Sequence, residues 1–217
     1  MPLQNRVTPF GKIVAIPERG TMFGNRGGRF HDPHTQSLTN RRFATRRWIC
    51  CELGFKGRRR TVFGSGYTEL FFLDEATALA AGHRPCFECR YADAIRFREA
   101  FGRGNRWRHS PRAEEMDFVL HQERRASRSP LKNWRHLPDG AMIAEGDKAC
   151  LVFSGQLFAW TAAGYRANPA AKGGRFHLLT PPSIVAALSA GYRARFHESV
   201  LALATAGRRT GVELPIC

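Results

Sequence analysis

The chain has 217 residues, 43% apolar and 11% aromatic, enough to build a hydrophobic core in one large domain or two small ones. No run approaches the ~18 apolar residues of a membrane span, and no apolar segment of signal-peptide type follows Met1, so a cytoplasmic protein with no membrane partner is expected. Lys and Arg number 34 against 18 Asp and Glu, a net charge of +16 that points to a polyanion, nucleic acid first, as the partner. A GC-rich coding sequence would account for Arg outnumbering Lys but not for the shortage of acidic residues.

In chain order, Lys12–Ile16 is the first strand candidate. The run from Met22 to His31 carries three glycines and predicts a tight turn, either a hairpin or a weak anion cradle. Residues 43–63 predict a β-hairpin: Trp48–Phe55 alternates so that Ile49, Cys51, Leu53 and Phe55 share a face, Lys56-Gly57 turns, and Arg58–Phe63 returns. Tyr67–Leu73 predicts a strand. Asp74 is a suitable N-cap for a helix over Glu75–Ala81 that stops at Gly82. A second helix runs from about Tyr91 to Phe101, with Ala94, Phe97 and Phe101 at helical spacing.

Gly102–Pro111 predicts an exposed loop, and Ala113–Ala126 an amphipathic helix with Met116, Val119 and Leu120 inward. A basic loop over Ser127–Pro138 follows. Lys148–Phe153 and Gln156–Thr161 predict a hairpin turning at Ser154-Gly155. A glycine-rich loop occupies 164–174, and a helix starts near Pro182 and ends at Gly191. The class is α+β: a small zinc-stapled β-hairpin and helix module over 1–102, followed by a second small α+β unit over 103–217.

Six cysteines, at 50, 51, 86, 89, 150 and 217, lack the spread of a disulfide framework and point to metal or thiol chemistry in a reducing compartment. Cys150 reads as a core residue, and Cys217 carries no signal. Cys86-x-x-Cys89 on a Pro85-led turn can offer two thiolates to one tetrahedral ion, with Zn–S about 2.3 Å. An unmetallated cysteine pair in a core turn is the plain alternative. Two more ligands must come from elsewhere. In an extended strand Cys50 and Cys51 point to opposite faces, so one of them can ligate; Cys51, on the apolar face, is the better candidate, and a buried small side chain is the competing reading.

The segment Glu75-Ala-Thr-Ala-Leu-Ala-Ala-Gly-His-Arg-Pro-Cys-Phe-Glu-Cys-Arg90 resembles the end of the Ada-type zinc-binding domain, the metal-binding module of DNA methylphosphotriester repair proteins and related DNA-processing proteins. The similarity is good over about 70–91, loose over 30–70 and absent after about 102. It implies zinc held by Cys86 and Cys89. The family's other two ligands form a Cys-x-x-x-Cys pair that this chain lacks. Phe30-His31-Asp-Pro-His34 is similar to the family's first ligand turn, with His in place of Cys, which makes His31 the fourth candidate and His34 the next. In the family a zinc-bound cysteine accepts a methyl group from DNA phosphate. The companion Pro-Cys-His-Arg motif and helix-turn-helix tail are missing here, so a structural zinc is the expected role. His83, beside the Cys turn, is expected to pack or to meet phosphate.

Arginines interleave with aromatics in 41–48, 56–60, 105–109 and 132–136. Arg46, Arg47, Arg58, Arg59, Arg60, Arg84, Arg90 and Trp107 are therefore candidates for nucleic-acid contact, with DNA ahead of RNA. Catalytic candidates are sparse: Asp117, His121 and Glu123 lie on one predicted helix and could bind a divalent metal or act as an acid–base pair, or simply form a solvated face. The leading expectation is a zinc-containing nucleic-acid-binding protein of DNA repair or processing. A metal-dependent nuclease, a cysteine-based DNA alkyl acceptor and a non-catalytic RNA-binding or regulatory accessory protein are the alternatives.

Overall fold

The computed structural model describes residues 1–59, 61–168 and 175–209, the last four as backbone only; Arg60 and Cys217 lie outside the described residues. The fold is α+β, with two six-stranded sheets and five helices among the described residues. In the first sheet the strands are β1 (Arg6–Val7), β2 (Ile13–Val14), β3 (Met22–Arg26), β6 (Trp48–Cys51), β7 (Leu70–Phe72) and β8 (Arg84–Pro85), in the order β2-β1-β7-β3-β6-β8. The glycine run of 22–28 supplies the strand β3 rather than an anion cradle. A Cβ on Gly24 would sit 2.1 Å from the Ile49 carbonyl oxygen, so only glycine allows β6 this close. Gly27, at φ +80°, turns the chain into the short hairpin of β4 (His31–Asp32) and β5 (Ser37–Leu38).

The expected hairpin over 43–63 does not form. Lys56 and Gly57 do turn the chain, both at positive φ, but no strand returns among the described residues of 58–63. Instead β6 pairs antiparallel with β3 and parallel with β8, partners distant in sequence. Arg58 and Arg59 are exposed and cannot fill a core-facing strand, while Phe63 is buried by stacking on His31.

Helix α1 (Glu75–Ala80) starts as its sequence predicts. The Asp74 carboxylate accepts from the Thr77 backbone N–H at 2.9 Å and from its hydroxyl at 2.8 Å, and Gly82 closes the helix at φ +80°. Helix α2 (Tyr91–Gly104) buries Ala94, Phe97 and Phe101, and α3 (Ala113–Arg125) buries Met116 and Leu120.

The second sheet is antiparallel, in the order β13-β12-β11-β10-β14-β9, with β9 Pro130–Leu131, β10 Met142–Glu145, β11 Lys148–Phe153, β12 Gln156–Thr161, β13 Gly164–Ala167 and β14 Phe176–Leu178. Ser154 and Gly155, both at positive φ, make the β11–β12 turn, and Cys150 is buried inside β11. Gly164–Ala167, expected as loop, extends this sheet by pairing with β12. Helices α4 (Pro182–Ser189) and α5 (Glu198–Arg209) follow the second sheet, and α5 packs on β13. No helix of the described residues is long and apolar enough to cross a membrane.

Residue 102 lies inside α2, and cores cross it. Leu73, Ala76 and Ala80 pack with Met142, Leu151 and Phe158; Leu79, Phe97 and Phe101 pack with Met116, Ile184 and Leu188. Polar bonds tie the same regions. Buried Asp74 accepts from the Tyr165 hydroxyl, and buried Glu75 from the Tyr192 hydroxyl at 2.6 Å and the Arg195 backbone N–H at 2.9 Å.

Candidate metal centre and basic surface

The cysteine cluster follows from strand alternation. In β6 successive side chains point to opposite faces, so Cys50 joins the core of Val7, Leu70 and Phe72 while Cys51 joins Phe23, Phe71 and Cys86. The parallel ladder to β8 continues as the Cys86 backbone N–H donates to the Cys50 carbonyl at 2.9 Å. This sets Cys86 next to Cys51 on one face, and the turn into α2 brings Cys89 round. The ligand atoms of Cys51, Cys86 and Cys89 lie within 4.8 Å of one another, and they are the one such group among the described residues. Tetrahedral Zn–S bonds of about 2.3 Å place sulfurs roughly 3.8 Å apart, so the cluster is of the right size for one ion.

The thiol chemistry fits as well. The Glu88 backbone N–H faces the Cys86 sulfur at 3.4 Å. Contacts with Cys51 and then Cys89 hold Cys86 well below the ordinary thiol range, and the same sharing, with burial, pushes Cys51 far above it. Cys51 works to lower Cys89, but Cys86 and burial raise it overall. Three sulfurs thus share protons at one point, and a bound cation would take the place of those protons. Three protein sulfurs would leave a four-coordinate ion one position for a further ligand.

His31 is not part of this group. One ring nitrogen bonds the Thr68 hydroxyl and the other the Gly64 carbonyl, both at 2.8 Å, and the ring stacks on Phe63. With both nitrogens engaged, it fastens the 61–68 loop to β4 and has no lone pair for a metal at the cysteines.

Two of the arginines expected at the surface are buried and paired. Arg84 holds Asp117 through two parallel bonds of 2.9 and 2.7 Å. Arg90 bonds Glu75 at 2.8 Å and Asp93 at 2.8 Å, and lies 3.6 Å from the Cys50 sulfur. Burial opposes its charge, but Glu75 more than compensates and raises its pKa. Trp107 packs against Phe101 and His109 and anchors its loop. Arg46, Arg47, Arg58 and Arg59 are exposed on the segments that enter and leave β6. Arg58 also reaches Glu88 at 2.6 Å, which links its loop to the cysteine turn.

The three catalytic candidates do not converge. Asp117 is committed to Arg84, burial holding its carboxyl above the usual range. Glu123 accepts from the backbone N–H and hydroxyl of Ser183 at 3.0 and 2.6 Å, capping α4 from outside. His121 meets the edge of Phe43; burial, then Arg124 and Arg125, lower its pKa. His83, near the cysteine turn, is fully buried against Phe72 and Trp48.

Sequence reasoning passed over Arg26 and Arg124, whose guanidinium groups cover Trp48 at 3.9 and 4.2 Å from its ring. The Arg46-Arg47-Trp48 run was the available signal, but the arginines that hold the ring come from β3 and α3. Set against protein-family models, curated proteins and solved structures, the chain matches none.

Proposed function

We propose that the protein binds nucleic acid, DNA ahead of RNA, through a basic surface held in shape by a zinc ion at Cys51, Cys86 and Cys89, in DNA repair or processing. The observation that carries the reading is the placement of exposed Arg46, Arg47, Arg58 and Arg59 on the two segments that flank β6, the strand that also bears Cys51. A metal at the end of β6 would fix both segments relative to each other. Arginines on fixed loops can meet successive phosphates, and each contact releases a counterion. The formal charge of +16 supplies the long-range attraction. Zinc fits the donor set because three soft sulfurs in tetrahedral spacing suit it, while hard cations prefer oxygen. The resemblance of residues 70–91 to Ada-type zinc modules agrees with this assignment.

The alkyl-acceptor reading keeps one supporting observation, the half-buried Cys89 beside two further thiols, which together would leave a four-coordinate ion room for one more ligand. It predicts a single methyl adduct on a cysteine after exposure to methylated DNA, readable by intact-protein mass spectrometry.

The binding reading is tested by titrating duplex and single-stranded oligonucleotides at several salt concentrations. Triple replacement of Arg46, Arg58 and Arg59 by Glu is expected to weaken binding and to flatten the plot of log K against log salt by about 0.7–0.9 per lost phosphate contact. Affinity and slope equal to those of the unaltered protein would refute the placement of the interface.

A further inference from the structure

Among the described residues, Arg26 is a buried cation with no carboxylate of its own. Its side chain is among the largest fully buried in the protein, yet its hydrogen bonds go to neutral groups: the Gly11 carbonyl at 3.0 Å, the Arg42 carbonyl at 3.4 Å and His83 Nε2 at 3.4 Å. Over Trp48 also stands Arg124, whose guanidinium donates to the Arg46 carbonyl, while its buried Nε has no hydrogen-bond partner among the described residues. The two carboxylates that act on Arg124 are already engaged, Asp117 by Arg84 and Glu123 by Ser183. Burial, followed by mutual repulsion with Arg124 and Arg42, lowers Arg26 to about 9, and burial lowers Arg124 to about 10. A desolvated cation cluster is expensive to fold unless an anion completes it.

A cavity of about 470 Å³ opens beside these groups, within the ordinary range for small-ligand sites. Arg26, Arg124, Arg42, Arg125 and Lys12 bring positive charge to its wall, and among the described residues no Asp or Glu lines it. Phe43, 38% exposed, and Phe10 give it an aromatic side. A second cavity of about 460 Å³ adjoins it, sharing Phe10, Gly11, Trp48 and Arg124.

We propose that this cavity is a nucleotide site, in which Arg124, Arg125 and Arg42 hold a phosphate group over Arg26 and the base lies against Phe43. Trp48 is not the stacking platform, because both its faces are covered by arginine. Arg124, Arg125 and Arg42 bring their charge to the cavity wall, and Arg26 supplies charge from below. The ligand is either a free mononucleotide or the phosphorylated end of a single strand; the chemistry recognised is the same. The site stands on different residues from the surface of Arg46, Arg58 and Arg59, and deepens the nucleic-acid reading by giving it a phosphate pocket.

Calorimetric titration with a deoxynucleoside 5′-monophosphate, and separately with 5′-phosphorylated and 5′-hydroxyl single-stranded oligonucleotides, tests it. The mononucleotide is expected to bind, and Arg42→Gln/Arg125→Gln, both exposed and free of folding roles in the described contacts, to weaken it about tenfold or more, since each bond to phosphate is charge-assisted. Phe43→Ala should weaken the mononucleotide but not inorganic phosphate. A preference for the 5′-phosphorylated strand over both other ligands identifies a strand end as the source, and equal binding of the two strands with tight mononucleotide binding identifies the free nucleotide. No mononucleotide binding, or binding unchanged in the double variant, overturns the site even if long strands still bind with a steep salt slope. Mononucleotide binding without any strand binding keeps the site and removes the wider nucleic-acid reading.

Discussion

His83 shows how one buried residue couples the fold to pH. Burial, then the charges of Arg26 and Arg124, hold its imidazole well below the ordinary value of 6.5, so it is neutral in the folded chain. The unfolded chain takes up that proton near pH 6.5, whereas the native state does not. Stability from this group is therefore present above about pH 6.5 and is lost as pH falls toward the native pKa, at up to roughly 1.4 kcal/mol per unit. Urea unfolding between pH 7 and 5.5 should show this slope, and His83→Gln should reduce it; an unchanged slope would mean that His83 takes up its proton alike in the folded and unfolded chain. Residues of this kind were the hardest to read from sequence. Arg84 and Arg90 sit in the most basic-looking part of the Cys turn and suggested a surface, but each has a carboxylate far along the chain, Asp117 for one and Glu75 for the other, that draws it inside. His31 carried a plausible ligand spacing, yet Thr68 and Gly64 claim both its nitrogens. Strand alternation made it legible that Cys50 and Cys51 part to opposite faces, but both faces are apolar, and it is the pairing with β8 that sets Cys51 beside Cys86.

Among elements, those governed by local rules were the readable ones. Helix α1 has its cap in Asp74 and its stop in Gly82, and the β11–β12 hairpin has Ser154-Gly155 at its turn, so residues within a few positions of each other determine them. The hairpin expected over 43–63 failed for the opposite reason. Its first strand is real, but its partners are β3 and β8, and no periodicity announces which distant strands will pair. Strands of two residues, such as β8, carry too little pattern to be seen, although β8 positions Cys86. Two glycines distinguish the roles of these contacts. A Cβ at Gly104 would lie 2.2 Å from the Ala186 carbonyl oxygen, between α2 and α4, and one at Gly24 would lie 2.1 Å from the Ile49 carbonyl oxygen, between β3 and β6. Each alanine substitution is expected to cost about 1–3 kcal/mol by overpacking. Gly24→Ala should in addition lower metal content, because it displaces the strand that carries Cys51; Gly104→Ala should not. Urea unfolding and metal analysis of both variants check the distinction, and equal metal loss in both would contradict it.

At the scale of the whole molecule, the fold joins the cysteine turn to the C-terminal half through charge as well as packing. Arg90, one residue past Cys89, bonds Glu75 and Asp93, which in turn engage Tyr192 and Arg195. The turn's supports therefore lie beyond residue 102, in a region that the resemblance to Ada-type modules does not reach. The α+β class and the basic character of the surface were legible because they follow from composition and periodicity summed over many residues. The shared cores, and the cavity between Arg26 and Arg124, were not, because they depend on where α3 and α4 pack. The proposed zinc ion at Cys51, Cys86 and Cys89, on one face of β6, is open to elemental analysis of the purified protein and of its Cys50→Ser and Cys51→Ser variants. About one zinc per chain is predicted for the unaltered protein and for Cys50→Ser, whose sulfur faces the opposite core, with most of the metal lost in Cys51→Ser. A zinc-free native protein, or a Cys51→Ser variant that keeps its full metal, would contradict it.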